Sequence, residues 1–198
     1  GTMSSGLSKS VRGPNGWQRP VETKITNHYN KHKNNYTEFA ISPDEQSLIL
    51  SVERLDSHGD KDLYVSFWQG NNQWSEPRIL GAVINSAAYE GSPFIAADGK
   101  TLYFTTTGKS GYGDGDIFMS KRLDDTWLNW SEPVNMGPYI NTESWDGFFT
   151  VPASGEYAYF SSTENSLGLE DIYRVRLSPS LQPEVPIQLT GSILASTT

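Results

Sequence analysis

One pattern of about twelve residues occurs three times in this chain of 198 residues. The copies read WQRPVETKITN from Trp17 to Asn27, WSEPRILGAVIN from Trp74 to Asn85, and WSEPVNMGPYIN from Trp130 to Asn141. An internal repeat constrains the fold more than a local motif does, because every copy must build the same structural unit and each unit must pack against its neighbours.

Two further segments recur in a fixed order around these copies. The first reads DEQSLILSV from Asp44, DGKTLYFTT from Asp98 and SGEYAYFSS from Ser154, at offsets of 54 and 56 residues. The second reads KDLYV from Lys61, GDIFM from Gly115 and EDIYR from Glu170. Because the order is the same in every unit, accidental similarity does not explain it.

Each unit has the pattern of four short β-strands. The first strand is FAIS, PFIA or FFTV, and it leads into a turn with Pro43-Asp44, Asp98-Gly99 or Ser154-Gly155. Apolar stretches such as SLILS predict a buried second strand, and LYVSFW, IFMSKR and IYRVRL predict the third strands. The WSEP stretch predicts the fourth strand, since its proline suits an outer edge. The 18 Gly, 11 Pro and 12% aromatic residues are typical of an all-β protein.

The repeat resembles the TolB-like (WD40-like) β-propeller repeat. The family pattern S-P-D-G-K-x-L-x-F, a Gly-rich loop and D-I-Y correspond to ISPDEQSLIL, IAADGKTLYFTTTGKSGYGDGDIF and VPASGEYAYFSSTENSLGLEDIY. The match covers residues 36 to about 178, with Glu45 in place of the usual Gly and Ser154 in place of the usual Asp. The resemblance implies an all-β propeller of four-stranded antiparallel blades, with full blades at 36–86, 87–142 and 143–194.

Three blades do not close a propeller, which needs about four to eight. We interpret residues 1–15 as a tag or linker, because GTMSSG is typical of an expression-tag remnant, and 16–35 as the outer strand of a preceding blade with its crossing loop. The sequence therefore predicts either part of a longer propeller or one half of a homodimer that completes the ring. The tail 183–198 is predicted to be the last strand or, by the same resemblance, the start of a following domain.

Two sets of residues recur at equivalent positions and are predicted to be structural. The first set offers large aromatic surfaces that would seal the space between neighbouring sheets: Trp17, Trp74 and Trp130. The second set would accept hydrogen bonds from turn amides where third strands begin: Asp62, Asp116 and Asp171. No metal site is predicted, because the chain has no Cys and its acids lack the spacing of a calcium loop.

A candidate binding rim lies where the first strands begin, at the mouth of the propeller channel. Aligning the repeats places Glu90 and Asp146 at one position, directly after Tyr89 and Trp145. In the first blade Tyr36 takes that position, with Glu38 two residues later. Convergent carboxylates beside aromatic rings could bind a cation, hold a sugar or perform acid–base catalysis. Equally, the carboxylates could accept backbone N–H bonds while the aromatics pack between blades.

Charge and missing motifs exclude several classes of protein. The net charge of −8 disfavours nucleic-acid partners and anionic membrane surfaces. No apolar run approaches the roughly 18 residues of a membrane span, so membrane insertion is not predicted. The chain contains no phosphate-binding loop and no G-x-S-x-G sequence, so neither a nucleotide cofactor nor a serine hydrolase is predicted.

Three hypotheses for function follow. The favoured one is a non-catalytic binding or scaffold module of a bacterial cell-envelope protein that contacts a protein or a glycan, which rests on the resemblance. The same resemblance implies a periplasmic, outer-membrane-associated or extracellular location. A second hypothesis is a carbohydrate-active enzyme whose catalytic carboxylates are Glu90 and Asp146. A third is a structural half-propeller whose function is self-association.

Overall fold

The computed structural model describes residues 6–32 and 36–185, and in these ranges the chain is almost entirely β-structure. The one helical element described is a 3-10 turn at Pro179–Leu181, so no helix in these ranges could cross a membrane. The strands in chain order are β1 (Leu7–Lys9), β2 (Arg12–Gly13), β3 (Gly16–Trp17), β4 (Val21–Ile25), β5 (Glu38–Ile41), β6 (Ser47–Val52), β7 (Asp62–Phe67), β8 (Gln73–Trp74), β9 (Arg78–Ile79), β10 (Glu90–Ile95), β11 (Thr101–Thr106), β12 (Asp116–Lys121), β13 (Val134–Asn135), β14 (Asp146–Thr150), β15 (Tyr157–Ser162) and β16 (Asp171–Arg176).

Three antiparallel sheets follow one another along the chain. The first has the strand order β5-β6-β7-β9 and the second β10-β11-β12-β13, so each is a four-stranded blade. The third has the order β14-β15-β16. The predicted propeller architecture is confirmed, and the chain forms part of such a propeller. The fourth strand predicted for the last blade falls on the tail, which lies outside the described residues from position 186 onward.

The blades are held together through their faces. The buried layer between the first and second blades includes Ile49, Leu63 and Phe104. The layer between the second and third blades includes Tyr103 and Phe149. The second strands β6 and β11 are buried along their whole length, because they contribute side chains to both faces of their sheets. Each large apolar side chain buried in this way stabilises the fold by about 1.5–3 kcal/mol.

The outer strands are interrupted at their prolines. Trp74 and Trp130 are each 4% exposed, Trp74 on the face of the first blade that points away from the second and Trp130 between these two blades; their sealing role stays a prediction. The serine after each tryptophan accepts a hydrogen bond from the third strand: Ser75 binds the Phe67 N–H at 2.9 Å, and Ser131 is held in the same way in the second blade. Regular fourth-strand pairing begins only after the proline, at β9 and β13, because proline has no N–H to contribute to a ladder.

The asparagine that ends each WSEP copy fixes the chain to the third strand of its own blade, just before the chain enters the next blade. Asn85 accepts a hydrogen bond from the Leu63 N–H at 2.8 Å and donates one to the Leu63 carbonyl at 3.0 Å. Asn141 makes the same pair with Ile117, at 2.8 and 2.9 Å. An amide side chain carries both a donor and an acceptor, so it can satisfy both backbone groups of one strand residue in a buried place.

The N-terminal copy of the pattern has different partners from those predicted. Strand β4 pairs antiparallel with β1 and parallel with β8, so it extends the outer edge of the first blade instead of completing a preceding one. Trp17 lies on the β2–β3 hairpin and is 73% exposed, so it does not seal a gap between sheets. Within the described residues this segment has no inner strands of its own to pair with, whereas the first blade has an apolar face to cover. Leu7 and Ile25 pack onto that face.

The crossing loop that follows β4 is fixed by a buried arginine. The Arg54 side chain is 4% exposed and donates a hydrogen bond to the Asn27 carbonyl at 2.9 Å. The same guanidinium lies 3.2 Å from the Glu76 carboxylate and 4.3 Å from the centre of the Tyr29 ring. Together with Leu7 and Ile25, this arginine closes the face of the first blade that points away from the second blade.

Replacing Asn85 by Ala removes both hydrogen bonds to Leu63 and leaves a buried N–H and a buried carbonyl without partners. We expect a loss of about 2–4 kcal/mol in the free energy of unfolding, measured by urea denaturation. Asn129→Ala is the matched control, because Asn129 is exposed and its loss should cost less than about 1 kcal/mol. Equal losses in the two variants would contradict the anchoring role.

Candidate functional site

The inner strands β5, β10 and β14 begin side by side at one end of the sheets, and the ladder registers show which of their residues are equivalent. Glu90 pairs with Thr106 and Asp146 with Ser162, each at the last residue of a second strand. In the first blade Glu38 pairs with Ser51, one residue before the end of β6. The equivalent positions are therefore Thr37, Glu90 and Asp146, preceded by Tyr36, Tyr89 and Trp145, and followed by Glu38, Gly91 and Gly147.

This register corrects the sequence alignment, which set Tyr36 level with Glu90 and Asp146. The reason is a β-bulge in two of the three inner strands. The register shifts by one residue between Gly91 and Phe94 in β10, and between Gly147 and Thr150 in β14, whereas β5 pairs without interruption. One extra residue in a strand displaces everything before it by one position. Tyr36 is consequently equivalent to the other two aromatic residues.

Glu90 is fully buried and is bound by the loop before it and by the neighbouring strand β11. Its carboxylate accepts hydrogen bonds from the Ser86 N–H at 2.8 Å, the Ser86 hydroxyl at 2.6 Å and the Thr106 hydroxyl at 2.6 Å. These three hydrogen bonds hold the side chain in one position and use its acceptor capacity locally. Glu90 therefore fixes the start of β10 and does not point into open solvent.

Asp146 has the same place in the third blade and is also fully buried. One carboxylate oxygen accepts hydrogen bonds from the Thr142 N–H at 2.6 Å and from the Thr142 hydroxyl at 3.0 Å. Burial raises the pKa of Asp146, although the hydrogen bonds from Ser162 and Thr142 oppose this shift and the nearby charge of Asp116 adds to it. The two predicted catalytic carboxylates are thus enclosed at two separate blade junctions.

The aspartates that start the third strands accept the turn-amide hydrogen bonds that the sequence predicts. Asp62 accepts from the His58 N–H, Asp116 from the Tyr112 N–H, and Asp171 from the Leu167 N–H. In each case the donor lies four residues earlier in the Gly- or Ser-containing loop. Asp62 and Asp116 are at most 1% exposed, so in the first two blades this bond is made in the interior.

Two of these aspartates also meet an acid of the next blade. Asp62 of the first blade and Glu90 of the second meet where these two blades join. There the Glu90 N–H donates a hydrogen bond to the Lys61 carbonyl at 2.8 Å. Burial raises the pKa of Asp62 to about 6, opposed by the His58 amide and reinforced by the charge of Glu90. Two carboxyl groups this close in a low dielectric do not both ionise readily, so Asp62 holds a proton at mildly acid pH.

Glu38 joins the first blade to the second in a way that the sequence did not indicate. Its carboxylate accepts hydrogen bonds from the Tyr89 hydroxyl at 3.1 Å and from the backbone N–H of the bulge residue Ser92. Gly91 makes room for this contact, because a Cβ there would lie 1.9 Å from the Tyr89 hydroxyl oxygen and 2.7 Å from the Glu38 carboxylate. In the observed register this Glu occupies a position that is Gly in both other blades, but the sequence alignment without the bulges set Glu38 level with Ser92 and Phe148.

The aromatic residues of the rim have different environments. The rings of Tyr89 and Trp145 lie 5.4 Å apart between the second and third blades. Burial and the adjacent Glu38 carboxylate raise the pKa of Tyr89, which remains a neutral donor. Tyr36 is 54% exposed, and its backbone carbonyl accepts a hydrogen bond from the buried Lys61 amine. Burial lowers the pKa of Lys61, against the opposing charges of Glu38 and Asp60.

A groove of about 390 Å³ runs beside the inner strands of all three blades. We call it the axial groove; its aromatic lining is Tyr36, Phe39, Phe94, Phe148 and Phe149. Its polar lining is confined to Thr37, Glu38, Ser92 and Thr150. Among the described residues no three His, Asp or Glu side chains converge as the ligands of a metal ion would. The groove can therefore hold an apolar group, with few polar anchors available.

Comparison with known proteins supports the fold. The structure of TolB from Acinetobacter baumannii is similar over 87% of this chain, with a TM-score of 0.53 and 14% sequence identity. A putative TolB from Agrobacterium tumefaciens is similar over 79% of the chain, with 20% identity and a TM-score of 0.49. The chain spans 35% and 47% of the lengths of these two proteins. No protein-family model and no curated protein matches the sequence. The chain has a TolB-like propeller fold.

Replacing Glu90 by Gln tests whether this carboxylate is structural. The amide nitrogen of glutamine cannot accept the hydrogen bonds from Ser86 and Thr106, so we expect a loss of about 1–3 kcal/mol in the free energy of unfolding, measured by urea denaturation. The exposed Glu132 offers the matched control Glu132→Gln, which should change stability by less than about 0.5 kcal/mol. A Glu90→Gln variant as stable as the parent would contradict the structural role.

The raised pKa of Asp62 predicts a pH dependence of stability. Between about pH 4 and 6 the folded chain keeps a proton on Asp62 that the unfolded chain releases, so the free energy of unfolding falls as the pH rises through this window. Asp62→Asn cannot titrate and lacks this contribution. The stability of the parent relative to Asp62→Asn should therefore decrease from pH 4 to pH 7 in urea titrations. A difference that is constant or increases over this range would show that Asp62 is not protonated in the fold.

Proposed function

We propose that this chain is part of a non-catalytic binding module of a bacterial cell-envelope protein, and that its axial groove receives a segment of a protein partner. The proposal rests on a difference in exposure between the aromatic side chains of the groove and the acids around it. The groove presents exposed Tyr36 and Phe148, which are 54% and 50% exposed, whereas Glu90 and Asp146 are fully buried. The site therefore offers apolar contact area and no substrate-facing carboxylate pair.

The composition of the groove favours a protein over a glycan. Sugar sites combine aromatic stacking with carboxylates and amides that bind the ring hydroxyls, and burying hydroxyls without such partners is costly. Here Glu38 is the one carboxylate of the groove, and its oxygens already bind Tyr89 and Ser92. Aromatic anchors in a concave site are typical of protein interfaces, in which a few such residues supply most of the binding energy.

The proposed envelope location rests on the similarity of the sequence repeat and of the fold to TolB-like proteins. The sequence repeat resembles the TolB-like family, and the fold is similar to that of TolB from Acinetobacter baumannii. We therefore place the module in the periplasm or at the outer membrane as part of the same proposal. Since the chain spans about a third of that protein's length, the partner of the axial groove is proposed for this part of the propeller and the activity of a longer protein is not included.

The glycosidase alternative is less well supported by the geometry. A glycosidase needs two carboxyl groups in contact with one sugar, about 5–10 Å apart. Glu90 and Asp146 lie at different blade junctions and are 0% exposed; both oxygens of Glu90 bind Ser86 or Thr106, and one oxygen of Asp146 binds Thr142. Substrate contact would require both junctions to open. The binding module needs no such rearrangement.

Tyr36→Ala tests the proposed groove directly. The parent and the variant are immobilised, and the retention of detergent-solubilised bacterial envelope proteins is quantified by mass spectrometry. Loss of one central aromatic anchor should reduce the retention of the specific partner by about tenfold or more. Tyr139→Ala is the matched control, because Tyr139 is 90% exposed and lies outside the groove.

Two results would contradict the proposed function. The first is a retained set of proteins that is the same for the parent, Tyr36→Ala and Tyr139→Ala. The second is turnover of a glycan panel by the parent that Glu90→Gln and Asp146→Asn abolish at unchanged foldedness, which would favour the carbohydrate-active enzyme.

A further inference from the structure

The lining of the axial groove contains one acidic side chain and no basic one. The acid is Glu38, which is partly exposed and lies among the aromatic residues of the groove. Its oxygens accept hydrogen bonds from the Tyr89 hydroxyl and the Ser92 N–H, and neither donor carries a charge. A carboxylate can accept about four hydrogen bonds, so Glu38 retains capacity for a further donor. Among the described residues no basic group lies within ion-pair distance of this carboxylate.

One basic side chain acts on Glu38 from inside the fold. Lys61 is 1% exposed, and its amine donates a hydrogen bond to the Tyr36 carbonyl and lies 5.2 Å from the centre of the Tyr36 ring. Burial lowers the pKa of Lys61, and the charges of both Glu38 and Asp60 oppose this shift. Two carboxylates that act on one ammonium leave an excess of negative charge, so Lys61 does not neutralise this part of the groove.

The loops at the same end of the sheets expose acids and bury bases. The second strands end where the inner strands begin, so the loops that follow them, 53–61, 107–115 and 163–170, lie at the rim. Their six acids are Glu53, Asp56, Asp60, Asp114, Glu164 and Glu170, and their three bases are Arg54, Lys61 and Lys109. Both Arg54 and Lys61 are buried, whereas all three aspartates are exposed. Such an acidic end attracts basic groups and repels acidic ones.

The aromatic rings beside Glu38 add to the same preference. The face of an aromatic ring carries partial negative charge and attracts a cation that lies within about 6 Å of the ring centre. Tyr36 is 54% exposed at the groove, and Phe39 and Phe94 are partly exposed there. A long side chain that ends in a positive charge can place its methylene groups on these rings and its charge at Glu38. An uncharged apolar side chain would use the rings alone.

The position of Glu38 is determined by two blades that the structure describes. Glu38 belongs to the first blade, and Tyr89 and Ser92, which donate hydrogen bonds to it, belong to the second. In a propeller a further blade packs on the face of a sheet, and the inner strands remain at the channel. Neighbouring blades would therefore leave Glu38 and the rings beside it at the channel.

We propose that the segment received by the axial groove carries a lysine or an arginine, whose alkyl chain lies on the rings of Tyr36, Phe39 and Phe94 and whose charge binds Glu38. This inference rests on the proposed function, since it specifies the chemistry of the same protein partner. The acids of the rim loops increase the rate of encounter with a basic segment, and the contact with Glu38 fixes its register in the groove.

Two fluorescent peptides test this inference by fluorescence polarisation. Both read Gly-Ser-Leu-X-Leu-Ser-Gly, where X is lysine in one and norleucine, an uncharged residue with a similar alkyl chain, in the other. We expect the parent to bind the lysine peptide at least about tenfold more tightly. Glu38→Gln should weaken binding of the lysine peptide about tenfold and change that of the norleucine peptide by less than about twofold. The matched control Glu132→Gln removes an exposed acid of an outer strand and should change neither.

The parent protein provides a second measurement, which does not depend on the stability of Glu38→Gln. Raising the salt concentration from about 0.05 M to about 0.5 M should weaken binding of the lysine peptide and leave that of the norleucine peptide nearly unchanged, because salt screens exposed charges. Tyr36→Ala should weaken both peptides, since each uses the ring. The melting temperature of each variant is measured to show that the fold is retained.

The outcomes separate this inference from the proposed function. If the parent binds both peptides equally and Tyr36→Ala weakens both, the basic side chain is overturned and the groove is retained as a binding site. The inference is also overturned if the lysine peptide does not bind, if folded Glu38→Gln keeps the full preference for lysine, or if Tyr36→Ala does not affect the lysine peptide. The groove itself is judged independently by the retention of envelope proteins on the parent and on Tyr36→Ala.

Discussion

A sheet with two apolar faces is stable only where both faces are covered, and every large feature of this structure follows from that constraint. The second strands β6 and β11 are buried on both sides: β11 lies between two blades, and β6 lies between the second blade and the N-terminal segment. At the beginning of the chain, where the described residues contain no earlier blade, Leu7, Ile25 and the loop held by Arg54 serve as the cover. At the third blade no segment of the described residues 36–185 covers the face that bears Ile172, and Ile172 is exposed. The repeat therefore indicates which sheet faces need a covering segment as well as which strands form.

The polar residues at the blade junctions meet a second requirement. Backbone N–H and C=O groups that are buried where one blade ends and the next begins must have hydrogen-bond partners. Asn85 and Asn141 each satisfy one residue of a third strand. Glu90 and Asp146 receive the amides of the loops that start their strands. Two residues of the type used in acid–base catalysis thereby make hydrogen bonds within the fold. Under our proposal, a protein partner contacts the aromatic lining of the axial groove.

Sequence patterns predicted the elements well and their partners less well. Strand periodicity and turn residues are local, so the three blades and the role of the aspartates that start third strands could be read from them. Trp17 and Trp74 have the same local pattern, but Trp74 packs into a buried cluster on the first blade, whereas Trp17 lies exposed on the β2–β3 hairpin. A bulge leaves no mark in a single strand's sequence, since Ser92 and Phe148 take positive φ values of 48° and 52° without being Gly. The sequence alignment set Tyr36 one position away from its true equivalents because the extra residue in each of β10 and β14 was not detected.

The central claim, that coverage of sheet faces determines the stability of each blade, is tested most directly by hydrogen exchange in the second strands. Strands β6, β11 and β15 are each paired on both sides, but β15 has partly exposed side chains on one face, whereas β6 and β11 are buried on both. We therefore expect the amides of β15 to exchange faster than those of β6 and β11. Equal protection of all three strands would contradict the claim.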